Sequence, residues 1–147
     1  MVIPATITLP AKLDSLYDFI DFVSSCAREQ GFSNKRVSEI ELALEEILVN
    51  IFKYAYKDCS FDGEIEITCK LACANSFVIE IVDSGMPFDI LSVREPDITA
   101  DIDERQIGGL GVFFVKQLMD DVQYRREEDR NKLTLVIKDL AIMPDIY

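Results

Sequence analysis

Histidine is absent from the 147-residue chain, and this absence narrows the metal chemistry open to it. The usual structural zinc sites combine cysteine with histidine, so few ligands remain for such a site. The four cysteines do not make up the shortage, because no two of them form a CxxC pair. We therefore expect reduced, buried thiols of the cytosolic kind at Cys26, Cys59, Cys69 and Cys73.

Basic residues are scarce as well. The chain has 15 lysines and arginines against 27 aspartates and glutamates, which gives a formal net charge of −12. This surplus of negative charge argues against binding nucleic acid or anionic membrane through bulk electrostatics, although a local basic patch would be compatible with it.

Long apolar segments are also missing. No run approaches the roughly 18 to 20 apolar residues of a membrane span, and the first residues lack the basic and apolar regions of a signal peptide. We expect a cytoplasmic protein without membrane insertion. The 49% of apolar residues is typical of a globular protein. With 147 residues the chain is long enough to bury about two thirds of its unfolded surface, which predicts a single domain over residues 1–147.

Two amphipathic helices are predicted in the first half of the chain. The first extends over about residues 15–30 and ends at Gly31. The second extends over about residues 35–57 and begins at Ser33 or Asn34, with apolar residues recurring at spacings of three and four.

Strand patterns surround these helices. A short edge strand is predicted over 2–9, where a proline interrupts the β-branched run, and two paired strands over 64–73 and 76–83. A final hairpin is predicted over 122–138 around Asp129–Asn131. Since strands and helices cluster rather than alternate, we expect an α+β, two-layer sandwich of a mostly antiparallel mixed sheet packed on helices.

The second helix carries an unusual polar pair. Glu46 and Asn50 lie one turn apart, within about 40° of each other on the side opposite the apolar stripe. Glu39 and Lys53 fall beside them, whereas Glu45 points to the flank and is expected to be a surface acid. Taken alone, this pattern is also typical of a solvated helix face.

Two further segments contain residue types that suit a nucleotide. In VDSGMPFD, Asp83 ends an apolar strand where it could accept a hydrogen bond from an exocyclic amine, and Gly85 would let a flat ring approach the backbone. In GGLG, residues 108–111, glycines lead into an apolar helix over 109–119, whose N-terminus favours phosphate. Both patterns also occur in ordinary turns, and the glycines match neither a Walker A motif nor a dinucleotide fingerprint.

Together, and in this order, the three segments resemble the anti-sigma-factor serine/threonine kinases, members of the gyrase/histidine-kinase ATPase superfamily with the Bergerat-type ATP-binding fold. The resemblance extends over about residues 10–138. Its motifs are E-x-x-x-N-x-x-K-x-A-Y from Glu46, D-x-G-x-P-F-D from Asp83, and G-G-x-G-x-x-x-x-x-x-L-M-D from Gly108.

The resemblance implies a role for several residues. Asn50 would ligate Mg²⁺ between the ATP phosphates, and Glu46 would be the general base for the attacking hydroxyl. Asp83 would bind the adenine amine, with Gly85 beneath the ring, and residues 90–107 would form a mobile lid over the nucleotide. The further nucleotide-binding residues implied are Lys53, Phe88, Arg105, Gly108, Gly109 and Gly111.

The chain departs from the family pattern in three places. Tyr54 stands where the family usually has histidine, and Asn131-Lys132 stands where a Gly-Thr pair is frequent. The segment REPDITADIDER of the lid is acidic for a structure that closes over triphosphate, with Arg94 and Arg105 as its positive charges. Because none of these positions supplies the metal ligand or the base, we expect ATP binding to be retained.

Three functions fit this pattern. The first is an ATP- and Mg²⁺-dependent protein serine/threonine kinase that phosphorylates an anti-anti-sigma protein of the STAS type and sequesters a sigma factor, without contacting nucleic acid directly. The second is a non-catalytic, nucleotide-sensing switch that binds a protein partner. The third is a histidine-kinase-like catalytic domain, which we rank last because the chain has no phosphoacceptor histidine of its own. A homodimer is compatible with each of them.

Overall fold

The computed structural model describes residues 3–56, 63–72, 76–92 and 115–138. In chain order the longer elements are β1 (Ala5–Pro10), α1 (Leu16–Glu29), α2 (Asn34–Asn50), β2 (Glu64–Ala72), β3 (Ser76–Asp83), β4 (Asp121–Glu127) and β5 (Arg130–Ile137). Short 3-10 turns cover Leu13–Ser15 and Ile90–Ser92, a π-helical turn covers Ile51–Ala55, and residues 115–118 are helical.

The five strands form one sheet in the order β1-β2-β3-β5-β4. All four pairings between the described strands are antiparallel, and β1 forms an edge, as its sequence predicts. Side chains alternate between a buried and a more exposed face along β2 and β5. The buried face packs against α1 and α2, so the two-layer α+β sandwich is confirmed.

The core between the layers is mostly aliphatic and also contains buried phenylalanines. Phe32 and Phe77 meet edge to face with ring centroids 5.5 Å apart, a geometry that adds about 0.5–1.5 kcal/mol to the burial of the rings. The largest fully buried side chains are Phe19, Phe77, Ile40, Leu44, Ile47, Leu48, Ile65, Ile67, Ile79, Ile81, Leu135 and Ile137.

The predicted ends of the two helices are largely confirmed. After α1, Gly31 adopts a φ of 91°, and the N–H of Phe32 donates to the carbonyl of Ala27 at 3.3 Å, a Schellman arrangement that stops the helix. At the start of α2, the Ser33 hydroxyl accepts a hydrogen bond from the N–H of Arg36 at 3.1 Å, which satisfies one of the unpaired amides of the first turn.

The second helix differs from its prediction at the C-terminal end. One continuous helix over 35–57 was expected, but the α-helix ends at Asn50 and the backbone widens into the π-helical turn Ile51–Ala55. Apolar periodicity cannot reveal this change, because a π turn inserts one residue without altering the residue types.

The last hairpin also differs from its prediction. Its turn is formed by Glu128 and Asp129, with φ of 46° and 65°, rather than by residues 129–131. Two successive positive φ values are typical of the type I′ turn, which matches the twist of paired strands. Asn131 therefore lies within β5, where it pairs with Asp83 of β3 and Arg126 of β4.

Several predictions concern residues outside the described ranges. They are the lid beyond Ser92, Arg105, the glycines 108, 109 and 111, and the thiols Cys59 and Cys73. Cys26 and Cys69 are confirmed as buried free thiols, and burial raises the pKa of both. Among the helices described, none is long and apolar enough to span a membrane.

Candidate nucleotide-binding site

The polar pair on α2 is tightly organised. The side-chain amide of Asn50 donates to the backbone carbonyl of Glu46 at 2.7 Å and to Glu46 Oε1 at 2.8 Å. Asn50 is only 4% exposed, so it does not lie on a solvated polar face. Glu46 is half-buried and Glu45 is exposed, which separates the two neighbouring acids as the helical geometry predicts.

The amide oxygen of Asn50 is the atom of interest in this pair. Both hydrogen bonds of the side chain use the nitrogen, and no residue in the described ranges donates to Oδ1. A buried amide oxygen without a donor is an unusual cost in a folded protein. It suits a hard cation such as Mg²⁺, which prefers oxygen ligands.

The remaining ligands of such a cation would not come from a dense protein cluster. The described part of the chain contains no group of three or more acidic, cysteine or histidine side chains that could hold a metal ion. Mg²⁺ is commonly bound by one or two protein groups together with phosphates and water. The residues present therefore fit a metal that binds together with a nucleotide.

Asp83 is the second buried polar side chain of the candidate site. It ends β3 and is 3% exposed, and its Oδ1 accepts hydrogen bonds from the N–H of Gly85 at 2.8 Å and from Asn131 Nδ2 at 2.9 Å. No described residue donates to Oδ2. Burial raises the pKa of the Asp83 carboxyl, and the hydrogen bonds from Asn131 and Gly85, with the charge of Arg126, oppose this rise.

Gly85 lies where the loop after β3 meets the π-helical turn after α2. A Cβ atom at this position would lie 2.6 Å from the carbonyl oxygen of Ala55 and 2.9 Å from the Ala55 Cβ. The same carbonyl accepts a hydrogen bond from the N–H of Met86 at 2.8 Å. The missing side chain therefore has a structural reason in the contact with the π-helical turn, and a place for Gly85 beneath a base stays a prediction.

The π-helical turn also brings together the residues implied beside it. The rings of Tyr54 and Phe88 lie 5.2 Å apart, and Lys53 Nζ lies 5.3 Å from the centre of the Tyr54 ring, within the range of a cation–π contact. Lys53 and Phe88 thus flank Tyr54, the residue that replaces the family histidine.

Asn131 appeared in the sequence only as a departure from the family pattern, and its contacts with Asp83 and Met86 were not predicted. It is 4% exposed and its Nδ2 donates to Asp83 Oδ1 at 2.9 Å and to the Met86 carbonyl at 2.8 Å. The sequence pattern placed Asn131 in the hairpin turn, and a residue in a turn has no partner on a neighbouring strand, so its contact with Asp83 was not predicted. A turn placed at residues 128 and 129 would have put Asn131 in a strand, where pairing with Asp83 becomes possible.

A separate groove opens on the other face of the sheet, with a volume of about 530 Å³. Glu80 lies within it and pairs with Lys70 and, at 3.0 Å, with Lys132. Burial favours a higher pKa for the Glu80 carboxyl, but the two ammonium groups outweigh it and lower the pKa. These three charged side chains pair with one another. No described residue of the three nucleotide motifs lines the groove.

Comparison with known proteins agrees with this geometry. The family described as "Histidine kinase-like ATPase domain" matches residues 9–137. "Serine-protein kinase RsbW" of Listeria monocytogenes is 31% identical over 127 residues, which cover 84% of this chain and 80% of that protein. The protein of the same name from Bacillus cereus is 29% identical over 124 residues, covering 82% and 76%.

Solved structures show the same fold. The histidine kinase domain of the blue-light activated kinase EL346 from Erythrobacter litoralis superposes with a TM-score of 0.51 at 15% identity, covering 88% of this chain. This chain spans 65% of the length of that domain structure and 41% of the longer EL346 chain. At this identity the likeness concerns the fold alone.

The fold and the site define a histidine kinase-like ATPase domain, and the chain belongs to that family. Within it, the similarity to the RsbW serine-protein kinases confirms the resemblance to the anti-sigma-factor serine/threonine kinases.

Proposed function

We propose that the protein binds Mg²⁺·ATP and transfers the γ-phosphoryl group to a serine or threonine of an anti-anti-sigma protein of the STAS type. In alternation with this reaction, it binds and sequesters a sigma factor. The relatives named serine-protein kinase support the transfer reaction, and membership of the anti-sigma-factor kinase family supports the two protein partners.

The observation that carries the proposal is the Glu46–Asn50 pair. The Asn50 nitrogen is held by Glu46, which leaves the buried Asn50 oxygen for a cation beside the phosphates. Mg²⁺, when bound, neutralises phosphate charge and aligns the phosphoryl group. The second oxygen of Glu46 accepts no hydrogen bond from the described residues and is the atom we assign to proton transfer.

Phosphoryl transfer needs no reactant besides ATP and the hydroxyl group of the partner. The hydroxyl oxygen of the partner serine or threonine attacks the γ-phosphorus, and the bond from this phosphorus to the bridging oxygen of ADP breaks. The hydroxyl proton passes to the Glu46 carboxylate. Because phosphoryl transfer depends mainly on positioning and charge neutralisation, one base and one metal ligand suffice on the protein side.

Base binding relies on Asp83. Its Oδ1 is occupied by two donors, so Oδ2 remains to accept a hydrogen bond from the exocyclic amine of adenine. A guanine or hypoxanthine would present a carbonyl oxygen at that place, and two acceptors repel each other. This arrangement supports ATP rather than GTP as the phosphoryl donor.

The direct test is phosphoryl transfer to a partner. The purified protein would be mixed with Mg²⁺·ATP and the STAS-type protein encoded beside its gene, and intact mass spectrometry would follow both chains. We expect the partner to gain the mass of one phosphoryl group on a serine or threonine. A mixture in which ATP binds but neither chain gains mass would contradict the kinase and leave a nucleotide-sensing switch.

A further inference from the structure

We propose that Asn131 is a positioning residue for Asp83 and that it determines the preference of the site for a 6-amino purine. The inference rests on the proposed function, because it assumes that Asp83 accepts the hydrogen bond from the base. It goes further by assigning specificity to a strand outside the three nucleotide motifs.

The first support is the convergence of donors on the Asn131 oxygen. Oδ1 accepts hydrogen bonds from the Tyr124 hydroxyl at 2.5 Å, the N–H of Phe88 at 3.2 Å and the Arg126 guanidinium at 3.2 Å. Three donors at one oxygen determine the orientation of the amide, since the reversed amide would place its NH₂ group against the Phe88 N–H and the Arg126 guanidinium, neither of which can accept a hydrogen bond. The nitrogen must then face Asp83.

The second support is what the nitrogen does there. Nδ2 holds Asp83 Oδ1, and it also holds the Met86 carbonyl of the loop that follows. Together with the N–H of Gly85, this prevents the carboxylate from rotating. Oδ2 is therefore presented in one direction, as an acceptor for a base that carries an amine.

The third support is the anchoring of the loop itself. The Arg126 guanidinium donates to the Gly85 carbonyl at 2.9 Å as well as to Asn131. The β4–β5 hairpin thus holds both the carboxylate and the loop from Gly85 to Phe88. Side chains of two antiparallel neighbours in register meet on one face of a sheet, which is how Asp83, Asn131 and Arg126 form a single row.

A change in pH dependence follows from the same contacts. Burial raises the pKa of the Asp83 carboxyl, whereas Asn131, the Gly85 N–H and the charge of Arg126 favour its ionised form and lower this pKa. Loss of any of these three groups would therefore raise the pKa of Asp83 further. Tyr124 is neutral at physiological pH, since burial raises the pKa of its hydroxyl. Without the Asn131 amide, Asp83 would take up its proton at higher pH, and the protonated carboxyl would lose its fixed acceptor.

The test compares ATP with inosine triphosphate, which carries a carbonyl oxygen in place of the 6-amino group. Dissociation constants of the Mg²⁺ complexes of both would be measured between pH 5 and 8 for the wild type, Asn131→Leu and Tyr124→Phe. Thr134→Val is the matched control, because Thr134 lies on β5 but lines the opposite face of the sheet. Melting curves would verify that each variant folds.

We expect the wild type and Thr134→Val to prefer ATP. In Asn131→Leu the ATP-to-inosine-triphosphate preference should fall about tenfold, the effect of one discriminating hydrogen bond. As the pH is lowered, this variant should lose ATP binding at a higher pH than the wild type does. Tyr124→Phe should shift both quantities in the same direction by a smaller factor, and it tests the inference by itself if Asn131→Leu does not fold.

Two results would overturn the inference separately from the proposed function. If Asn131→Leu or Tyr124→Phe weakened both nucleotides equally and left the pH profile unchanged, Asn131 would be a structural residue only. If the wild type bound ATP and inosine triphosphate equally well, Asp83 would not read the base amine. Failure of the wild type to bind either nucleotide would instead reject the proposed function on which the inference rests.

Discussion

Asn50 and Asp83 are buried polar side chains with an oxygen that receives no donor from the described residues. Such atoms lower the stability of the free protein, because a buried acceptor loses its hydrogen bonds to water. A ligand that supplies the missing partner recovers this free energy. Single substitutions at these two residues should therefore change ligand binding in a specific way.

Glu46→Gln tests the base. The glutamine has nearly the same shape and can still accept from the Asn50 amide, so Mg²⁺·ATP should bind almost as well as to the wild type. Phosphoryl transfer to the STAS-type partner should fall about 10²-fold or more, the usual scale for loss of a general base. Rapid-quench measurement with radiolabelled ATP would give the rate.

Two further variants make this test specific. Asn50→Ala should weaken both nucleotide binding and transfer, because it removes the proposed metal ligand. Glu45→Gln should change neither, since Glu45 is exposed on the flank of the helix. Wild-type transfer by Glu46→Gln would exclude Glu46 as the base.

Asp83→Asn should separate binding from stability. The asparagine oxygen can accept from Gly85 and Asn131 as Oδ1 now does, while its NH₂ group replaces the acceptor Oδ2 and opposes the adenine amine. ATP affinity should fall by about 10-fold or more, and the free protein should melt about 2–4 °C higher for each kcal/mol gained by removing a buried charge. Differential scanning fluorimetry with and without ATP measures both, and a lower melting temperature with intact ATP affinity would contradict the assignment.

At the scale of elements, the site depends on contacts between segments that are distant in sequence. The π-helical turn after α2 packs on the loop after β3 through the Ala55 carbonyl and Met86. The β4–β5 hairpin holds the same loop from the other side through Asn131 and Arg126. We therefore expect nucleotide binding to be coupled to the packing of these elements.

Gly85→Ala tests the first of these contacts. Its new methyl group would lie 2.6 Å from the Ala55 carbonyl oxygen, so loop and helix must separate, at a cost of about 1–3 kcal/mol. Because the movement displaces the loop that follows Asp83, ATP affinity should fall as well. Urea unfolding and isothermal titration calorimetry would measure the two effects.

Gly31→Ala is the matched control for this variant. It strains a residue with φ of 91° but meets nothing within 4 Å, and it lies at the end of α1 rather than at the site. We expect it to lower the free energy of unfolding by about 1 kcal/mol with unchanged ATP affinity. Equal ATP affinity in Gly85→Ala and Gly31→Ala would show that the loop contact does not position the site.

At the scale of the whole molecule, the contribution of Asp83 to stability and its contribution to nucleotide affinity should respond to pH in opposite directions. The pKa of Asp83 is raised above its ordinary value of 3.8 by burial, so the stability that comes from its protonated form is present below about that pH and is lost as pH rises through the raised pKa. Over the same window the ionised carboxylate forms, and ATP affinity should increase.

This pH dependence can be measured as a difference in the free energy of unfolding between the wild type and Asp83→Asn. The free energy of unfolding of Asp83→Asn minus that of the wild type should grow as pH rises from about 4 towards neutrality, since asparagine does not ionise. Glu80 has the opposite sign, because its lowered pKa gives stability above its ordinary value of 4.5 that is lost in acid, but this contribution is common to both proteins and cancels. A difference independent of pH would show that Asp83 has the same pKa folded and unfolded.

The sequence alone determined those parts of the protein that depend on neighbours a few residues apart. The spacing of Glu46 and Asn50 places both on one side of α2, Gly31 ends α1, and the alternation along the strands predicts the sandwich. These features follow from the 3.6-residue and two-residue periods and from glycine's access to positive φ. The same motifs, in the same order, were sufficient to indicate the family.

Only the tertiary structure decided what Gly85 and Asn131 contact. Gly85 meets Ala55 although strands β2 and β3 lie between them in the chain, and Asn131 meets Asp83, 48 positions earlier. Such contacts depend on strand register and on the π turn, and register changes completely when a turn moves by one residue. Local residue preferences cannot establish it, because asparagine is common in turns and rare within strands, whereas Asn131 is placed in β5 by its cross-strand partners.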